Sequence, residues 1–312
     1  MRVNTLTYNN VQTQGPKQRA WLREHSPQHL QQCAMLMLHA LQKRPESASH
    51  STLVLGAGAC TEVPLTGLAR DSDEVVLADL DLASMRQGRD ELTSMALRKR
   101  VRLLECDISG GVSASLNLLV EQQPWDKLVS QGAQAVFDAA SHCLDQCPVS
   151  DPPEIKGLST GEFGVIISSL ILSQLFGYPI LDILDHVQRI APGLLGEQER
   201  HRRYQEAAQA FRVRIINAHL RLLRELLDVG GLGVLLSDMR GFVFDIHGTG
   251  DDTEHRRTIP LVPHILPELV QENFAVIEEA HWEWLTNLPD GGKLGRGYEV
   301  VGYVLSPNND GF

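Results

Sequence analysis

Short apolar runs alternate with amphipathic segments over the first third of the chain. Runs at Thr52–Leu55, Val75–Ala78 and Val101–Cys106 are mainly apolar and have the length of buried strands. Between them, residues 61–69 and 82–98 place their apolar positions at helical spacing. Strand, helix, strand, helix, strand at this spacing predicts a parallel sheet joined by right-handed crossovers.

The middle of the chain continues this alternation with longer connections. Apolar runs at Gly164–Ser169 and Leu232–Ser237 predict a fourth and a fifth strand. Residues 197–228 have helical spacing and form one long helix or two joined ones, with Gly230–Gly231 at the end. The connection at 109–163 is longer than a crossover requires, and much of it has a helical pattern.

The C-terminal part predicts a hairpin. A short helix around residues 264–271 precedes two β runs, Ala280–Leu285 and Tyr298–Leu305, and the turn-forming residues 290–292 lie between the runs. An open parallel sheet closed by a C-terminal antiparallel hairpin fits this order of elements.

The domain organisation follows from the absence of a clear linker. Residues 17–43 read as helical, so we expect a helical N-terminal cap over residues 1–50. We expect residues 51–312 to form one α/β domain with helical insertions near 109–163 and 176–228.

Composition narrows the classes of protein that fit. A hydrophobic fraction of 43% allows a sizeable core, but no stretch reaches the roughly 18–20 apolar residues of a membrane helix. The start of the chain does not resemble a secretory signal, and five irregularly spaced cysteines do not form a disulfide framework, so a cytoplasmic protein is predicted. A net charge of −11 argues against broad contact with nucleic acid. The basic group at 200–203 with Arg212 and Arg214 is interpreted as a solvated helix face.

A glycine-containing turn follows the first strand. Gly56 and Gly58 permit a tight turn and close approach of the backbone to a ligand at the carboxyl end of that strand. Asp79 ends the second strand about twenty residues further on, where its carboxylate can accept both ribose hydroxyls of an adenosine-containing ligand.

Two classes of ligand use this geometry, dinucleotides and S-adenosylmethionine. A dinucleotide fingerprint would have a third glycine where this chain has Thr61, which disfavours NAD. The third strand leads into Asp107 and Ile108, an acidic residue followed by an apolar one. Such a pair can bind an adenine amino group and cover the ring.

Taken together, these segments resemble a class I, seven-stranded S-adenosylmethionine-dependent methyltransferase over roughly residues 50–305. The resemblance is most specific at Leu55–Gly58, Ala78–Asp81, Cys106–Ile108 and Val165–Gln174. It implies an α/β fold with an open, mostly parallel seven-stranded sheet, a C-terminal antiparallel hairpin and helices on both faces. It also implies S-adenosylmethionine as cofactor and a small molecule as methyl acceptor.

The resemblance assigns roles to individual residues of the cofactor site. Gly56, Ala57 and Gly58 would lie under the amino-acid part of the cofactor, and Asp79, followed by Leu80, would take the ribose. The remaining assignments are Asp107 and Ile108 for the adenine, and Ser168 and Ser169 for the region near the sulfonium.

Methyl transfer from a sulfonium is an in-line displacement, so positioning supplies much of the catalysis. An oxygen nucleophile would need a base within hydrogen-bond reach, and the candidates are His247, Asp238 and Tyr204, with His201 as a further one. The segment from Asp238 to His247 is expected to be a loop after the fifth strand, facing the acceptor, although a lone histidine is more often an ordinary surface residue.

Several alternatives stay open. The chain is either an enzyme, a non-catalytic S-adenosylmethionine-binding partner protein or, less favoured, an NAD-dependent oxidoreductase. The sequence indicates no metal site and no nucleic-acid or membrane partner, and a homodimer is one candidate for the oligomeric state. Tyr8, Trp21 and the N-terminal helix either fold over the cofactor cleft or pack on the sheet edge through Trp21 and Leu22.

Overall fold

The computed structural model describes residues 20–194, 199–244, 256–289 and 294–308. Within these ranges we number helices and strands in chain order. The helices are α1 Pro27–Lys43, α2 Leu65–Asp71, α3 Leu82–Asp90, α4 Met95–Lys99, α5 Val112–Glu121, α6 Trp125–Gln131, α7 Ala133–Gln146, α8 Leu172–Ile190, α9 Arg202–Leu226 and α10 Leu266–Asn273. The strands are β1 Ser51–Leu55, β2 Glu74–Asp79, β3 Val101–Glu105, β4 Phe163–Ser169, β5 Leu227–Phe244, β6 Arg256–Pro260, β7 Phe274–Asn287 and β8 Gly295–Pro307.

All the described strands belong to one sheet, in the order β3-β2-β1-β4-β5-β8-β7, with β6 paired to β5 outside this path. The first five strands of the path are parallel, and β8 lies antiparallel between β5 and β7. The predicted fold class, an open and mostly parallel seven-stranded sheet closed by a C-terminal antiparallel hairpin, is confirmed. The short strand β6 is an addition that the sequence pattern did not indicate.

The parallel strands bring their carboxyl ends to one edge of the sheet. Leu55 of β1 is in register with Ala78 of β2 and with Ser168 of β4, and Asp79 is in register with Glu105 of β3. The turns that follow β1, β2, β3 and β4 therefore meet at a common edge.

Helices cover both faces of this sheet, which explains the unbroken apolar runs of its central strands. Leu53 and Leu55 of β1 pack into the layer that contains α5, α7, α8 and α9. Val54, between them, packs into the layer that contains α1, α2 and α3. Each of these three residues of β1 thus has apolar neighbours on the face to which it points.

Two of the predicted helices differ from the observed ones. The pattern over 82–98 is two helices, because Ser94 caps α4 by accepting a hydrogen bond from the backbone N–H of Leu97. The helix expected from residue 61 begins only at Leu65, directly after Pro64, which has no backbone N–H to donate.

The fifth strand is much longer than predicted. Helix α9 ends at Leu226 and β5 starts at the next residue, so Gly230–Gly231 lie inside the strand and do not terminate the helix. At its other end β5 continues to Phe244, because β8 pairs with one edge of this segment and β6 with the other. The expectation that Asp238 opens a loop was therefore wrong.

The N-terminal helical region packs on the sheet. Trp282 of β7 donates its indole N–H to Nδ1 of His29 at 2.8 Å, and His29 stacks on Trp284 at 4.5 Å. Burial lowers the pKa of His29 to about 3, so the ring is neutral. Leu22 is buried and Trp21 stacks on His25. These contacts favour the sheet-packing role for this region, while Tyr8 lies outside the described residues.

None of the helices in the described ranges is both long enough and apolar enough to cross a membrane.

Candidate functional site

The turn after β1 is held tightly at its first glycine. Gly56 has φ +71°, and a Cβ there would lie 2.7 Å from Cβ of Ile171 and 3.2 Å from the carbonyl oxygen of Ser169. The backbone N–H groups of Gly56 and Ala57 both donate to the carbonyl of Ala78, at 3.0 and 3.3 Å. Gly56 is therefore required by packing between the ends of β2 and β4.

Gly58 differs from Gly56 because it borders open space. Its φ is +45°, and no described atom lies within 4 Å of the position that a Cβ would take. Its N–H donates to Oδ2 of Asp79 at 2.9 Å. The second glycine thus presents bare backbone to a space that a ligand can occupy. Behind the turn, Gly88 of α3 lets that helix approach, since a Cβ there would lie 2.7 Å from the carbonyl oxygen of Ala59.

The Asp79 carboxylate can accept further hydrogen bonds from a ligand. Oδ2 accepts the N–H of Gly58 and Oδ1 accepts the N–H of Asp81, each at 2.9 Å. A carboxylate has about four lone-pair sites, so each oxygen retains one for a hydroxyl donor. Leu80, the next residue, is 58% exposed, an unusual exposure for leucine that leaves its side chain available to cover an apolar ring.

Asp107 can accept fewer further hydrogen bonds than Asp79. Its Oδ1 accepts both the N–H and the hydroxyl of Ser109, at 2.8 and 2.6 Å, while Oδ2 accepts the N–H of Gly111 at 3.1 Å. One lone-pair site on Oδ2 is left, which suits a single donor such as an adenine amino group. Ile108 is 3% exposed and packs in the core beside α5.

The end of β4 combines a buried hydrogen bond with a strained turn. Ser168 is fully buried, and its hydroxyl pairs with Nε2 of His219 on α9 at 2.8 Å. Burial lowers the pKa of His219 to about 4, so the imidazole is neutral. Ser169 is 7% exposed and is followed by Leu170, which has φ +52° although it is not glycine. His219 was not predicted from sequence, since nothing local marks it as the partner of Ser168.

A second polar group lies where α8 begins above β5. The Ser173 hydroxyl donates to Oδ2 of Asp238 at 2.9 Å. The other carboxylate oxygen of Asp238 is buried and has no partner among the described residues. Burial, which outweighs the Ser173 hydrogen bond, raises the pKa of Asp238 to about 6. The Asp238 charge in turn contributes, after burial, to raising the pKa of both Tyr178 and Tyr298.

The predicted catalytic residues do not all lie close to one another. Asp238 lies at the carboxyl half of β5, whereas Tyr204 is buried in the α9 layer, edge-on to Phe137 with centroids 5.5 Å apart. Tyr298, beside Asp238, packs against the opposite layer, so Tyr204 and Asp238 are not neighbours. His201 stacks on Phe137, and His247 lies outside the described residues.

Ser173, Tyr178 and Tyr298 are residues of this group that the sequence did not identify. Ser173 lies in the segment Val165–Gln174 that carries the resemblance, but nothing in that segment indicates a partner 65 residues away.

No protein-family model and no curated protein sequence matches the chain. Solved structures similar to it include the glycopeptide N-methyltransferase MtfA with S-adenosylmethionine, at 13% identity over 88% of this chain and 87% of that chain, with TM-score 0.36. Geranyl diphosphate methyltransferase with S-adenosylmethionine is 9% identical over 91% of this chain and 89% of its own, with TM-score 0.40. An S-adenosylmethionine-dependent methyltransferase from Aquifex aeolicus is 9% identical over 84% and 87%, with TM-score 0.34.

Proposed function

We propose that this protein transfers a methyl group from S-adenosylmethionine to a small-molecule acceptor. The observation that carries the proposal is the set of groups gathered at one edge of the sheet. The bare backbone of Gly58, the two free acceptor sites of Asp79, the exposed Leu80 and the single free site of Asp107 follow three adjacent strands. Together they match the amino-acid, ribose and adenine parts of that cofactor.

The strand order argues against the dinucleotide alternative. The doubly wound dinucleotide fold has parallel strands in the order 3-2-1-4-5-6. Here the position beyond β5 is taken by β8, which runs antiparallel and is followed by β7. Thr61 also stands where a dinucleotide loop would have its third glycine. Both features disfavour an NAD-dependent oxidoreductase.

S-adenosylmethionine supplies an electrophilic methyl group on a positively charged sulfonium. In this chain the glycine turn holds the amino-acid end, and Asp79 and Asp107 orient the nucleoside by hydrogen bonds. Orientation of this kind lowers the barrier of an in-line displacement, because the reacting groups are already aligned.

The Ser173–Asp238 pair is the proposed acceptor side of the site. A buried carboxylate oxygen without a partner is costly, and an N–H or O–H group of an acceptor would satisfy it. With its pKa raised to about 6, Asp238 is ionised at neutral pH and basic enough to take a proton from the acceptor. His247 stays a candidate base whose placement the described residues do not test.

Calorimetric titration tests the cofactor part of this proposal. We expect S-adenosylmethionine and its demethylated product to bind, and NAD not to bind. Binding of NAD alone would reverse the assignment. Tight S-adenosylmethionine binding without methylation of any metabolite in a cell extract, followed by mass spectrometry, would favour the non-catalytic partner protein.

Replacement of Asp238 by asparagine separates the stability cost of its buried charge from its proposed role as a base. Because its pKa in the folded protein is about 6 and lies above the unfolded value, the native state binds more protons between about pH 4 and 6. The free energy of unfolding therefore falls as pH rises through this window and stays low above it. Asp238→Asn should stabilise the protein at pH 7–8 by about 1–3 kcal/mol and should have no such effect below about pH 4. Thermal unfolding across pH measures this.

Asp138→Asn is the matched control, because Asp138 is exposed and accepts only a local hydrogen bond from Gln134. It should change neither stability nor its pH dependence by more than a few tenths of a kcal/mol. In a methylation assay Asp238→Asn should lower turnover by about 100-fold, at the low end for a lost general base. A variant that is neither stabilised nor less active would contradict the role of Asp238.

A further inference from the structure

A cavity of about 830 Å³ lies between α9, the carboxyl half of β5, the β7–β8 hairpin and the segment that precedes α10. Its walls are mainly apolar, and they include Met239, Leu261, Val262 and Trp282. A volume of this order holds a small organic molecule. Met239 and Arg240 of β5 line the cavity, whereas Asp238 and Ser173 do not, so its lining differs from the proposed acceptor side.

The acidic residues of the cavity wall are already neutralised. Glu299 pairs with Arg240 at 3.2 Å and with Arg256 at 3.0 Å. Glu283 pairs with Arg256 at 2.5 Å. The charges of the two glutamates are thus balanced by those of Arg240 and Arg256. Arg212 also lines the cavity and adds a further positive charge. Among the described residues, the charge of Arg212 is therefore in excess.

Arg212 has no acceptor among the residues that the structure describes. Its Nε is buried and makes no hydrogen bond there, and none of the ion pairs between described residues includes it. Arg214, two residues further along α9, shows the contrast, since it donates to the carbonyl oxygens of Cys147 and Leu144 at 3.0 and 2.6 Å. A partly buried guanidinium without an acceptor is costly, and an anionic ligand group would remove that cost.

We propose that this cavity binds a small amphipathic anion, whose carboxylate or phosphate group pairs with Arg212 while its apolar part lies against Met239, Leu261 and Val262. The proposal does not depend on methyl transfer, because it concerns binding alone. It corrects the interpretation of Arg212 and Arg214 as part of a solvated helix face. That interpretation suits Arg202, whose side chain is 91% exposed and pairs with Glu206 on the same helix.

Three probes of equal chain length test the proposal by calorimetry: octanoate, octyl phosphate and the neutral octanamide. At least one anion should bind about tenfold or more tightly than octanamide, since a charge-assisted bidentate pair is worth more than a neutral hydrogen bond. The tighter of the two anions identifies the head group. Equal binding of all three probes, or no binding by any of them at millimolar concentration, overturns the proposal.

Variants of Arg212 test whether this residue is responsible for the preference for an anion. Arg212→Gln should remove the preference for the anion, and Arg212→Lys should keep part of it, since the charge stays but the planar fork is lost. Arg202→Gln, on the same helix but outside the cavity, should bind like the unchanged protein. A preference retained in a folded Arg212→Gln protein, or displacement of the anion by S-adenosylmethionine, would place the anion elsewhere and overturn the assignment. Thermal unfolding checks that each variant is folded. If Arg212→Gln does not fold, the reduced preference for the anion in Arg212→Lys tests the assignment.

Discussion

The Gly58→Val protein should fold and yet fail to bind S-adenosylmethionine, with affinity reduced by more than about 100-fold. The side chain would enter space that no described atom occupies, so it does not disturb the packing of the described residues. That same space is where the proposed ligand lies against the backbone. A valine at φ +45° also adds backbone strain of about 1–2 kcal/mol, which the control below shares. Calorimetric titration measures the affinity, and circular dichroism checks the fold.

Gly161→Val is the matched control for this prediction. Gly161 has φ +67° and open space at its Cβ position, but it precedes β4 at the opposite edge of the sheet. It should cost similar stability and leave cofactor affinity unchanged. Gly56→Ala gives a second contrast, because the new Cβ would meet Ile171 and should lower the unfolding temperature. Tight binding by a folded Gly58→Val protein would mean that the turn has no ligand against it.

Asp79→Ala should weaken S-adenosylmethionine binding by about 1.5–3 kcal/mol, the range for losing hydrogen bonds to a charged group. Two free lone-pair sites would be lost to the ribose, and the N–H groups of Gly58 and Asp81 would lose their acceptors, which loosens the turn as well. Calorimetric titration gives the loss as roughly a 10- to 150-fold rise in the dissociation constant.

Two variants separate these contributions. Asp79→Asn keeps one acceptor oxygen and should fall between the alanine variant and the unchanged protein. Glu74→Ala removes a carboxylate from the other end of β2, where it pairs with Arg102, and should leave cofactor affinity unaltered. If Asp79→Ala binds S-adenosylmethionine as tightly as the unchanged protein, Asp79 does not hold the ribose.

The parallel core could be predicted from sequence because its information is local. Each of the first four strands is a short, mainly apolar run, and the residues proposed to hold the cofactor lie at its carboxyl end or directly after it. The general rule that parallel strands share one carboxyl edge then brings Gly58, Asp79 and Asp107 together without knowledge of any side-chain contact.

Local patterns failed where pairing between distant segments overrides them. Gly230–Gly231 has the composition of a helix end, yet these residues lie between Leu227 and Leu232, which both pair with β4. Further along, β8 and β6 pair with the strand as far as Phe244. Propensity is a weak guide in such a case, since hydrogen bonds to neighbouring strands outweigh it.

The order of the core elements and the residues of the proposed cofactor site could be predicted from the sequence, because each depends on neighbours within a few positions. The tertiary structure was needed to identify the partners of Asp238 and Ser168, which lie 65 and 51 residues away, and the partial burial of Arg212. These depend on how α8 and α9 are rotated and packed against the sheet. A helix exposes or buries a given side chain according to the surface it meets, and that surface is assembled from parts of the chain that the helix's own sequence does not specify.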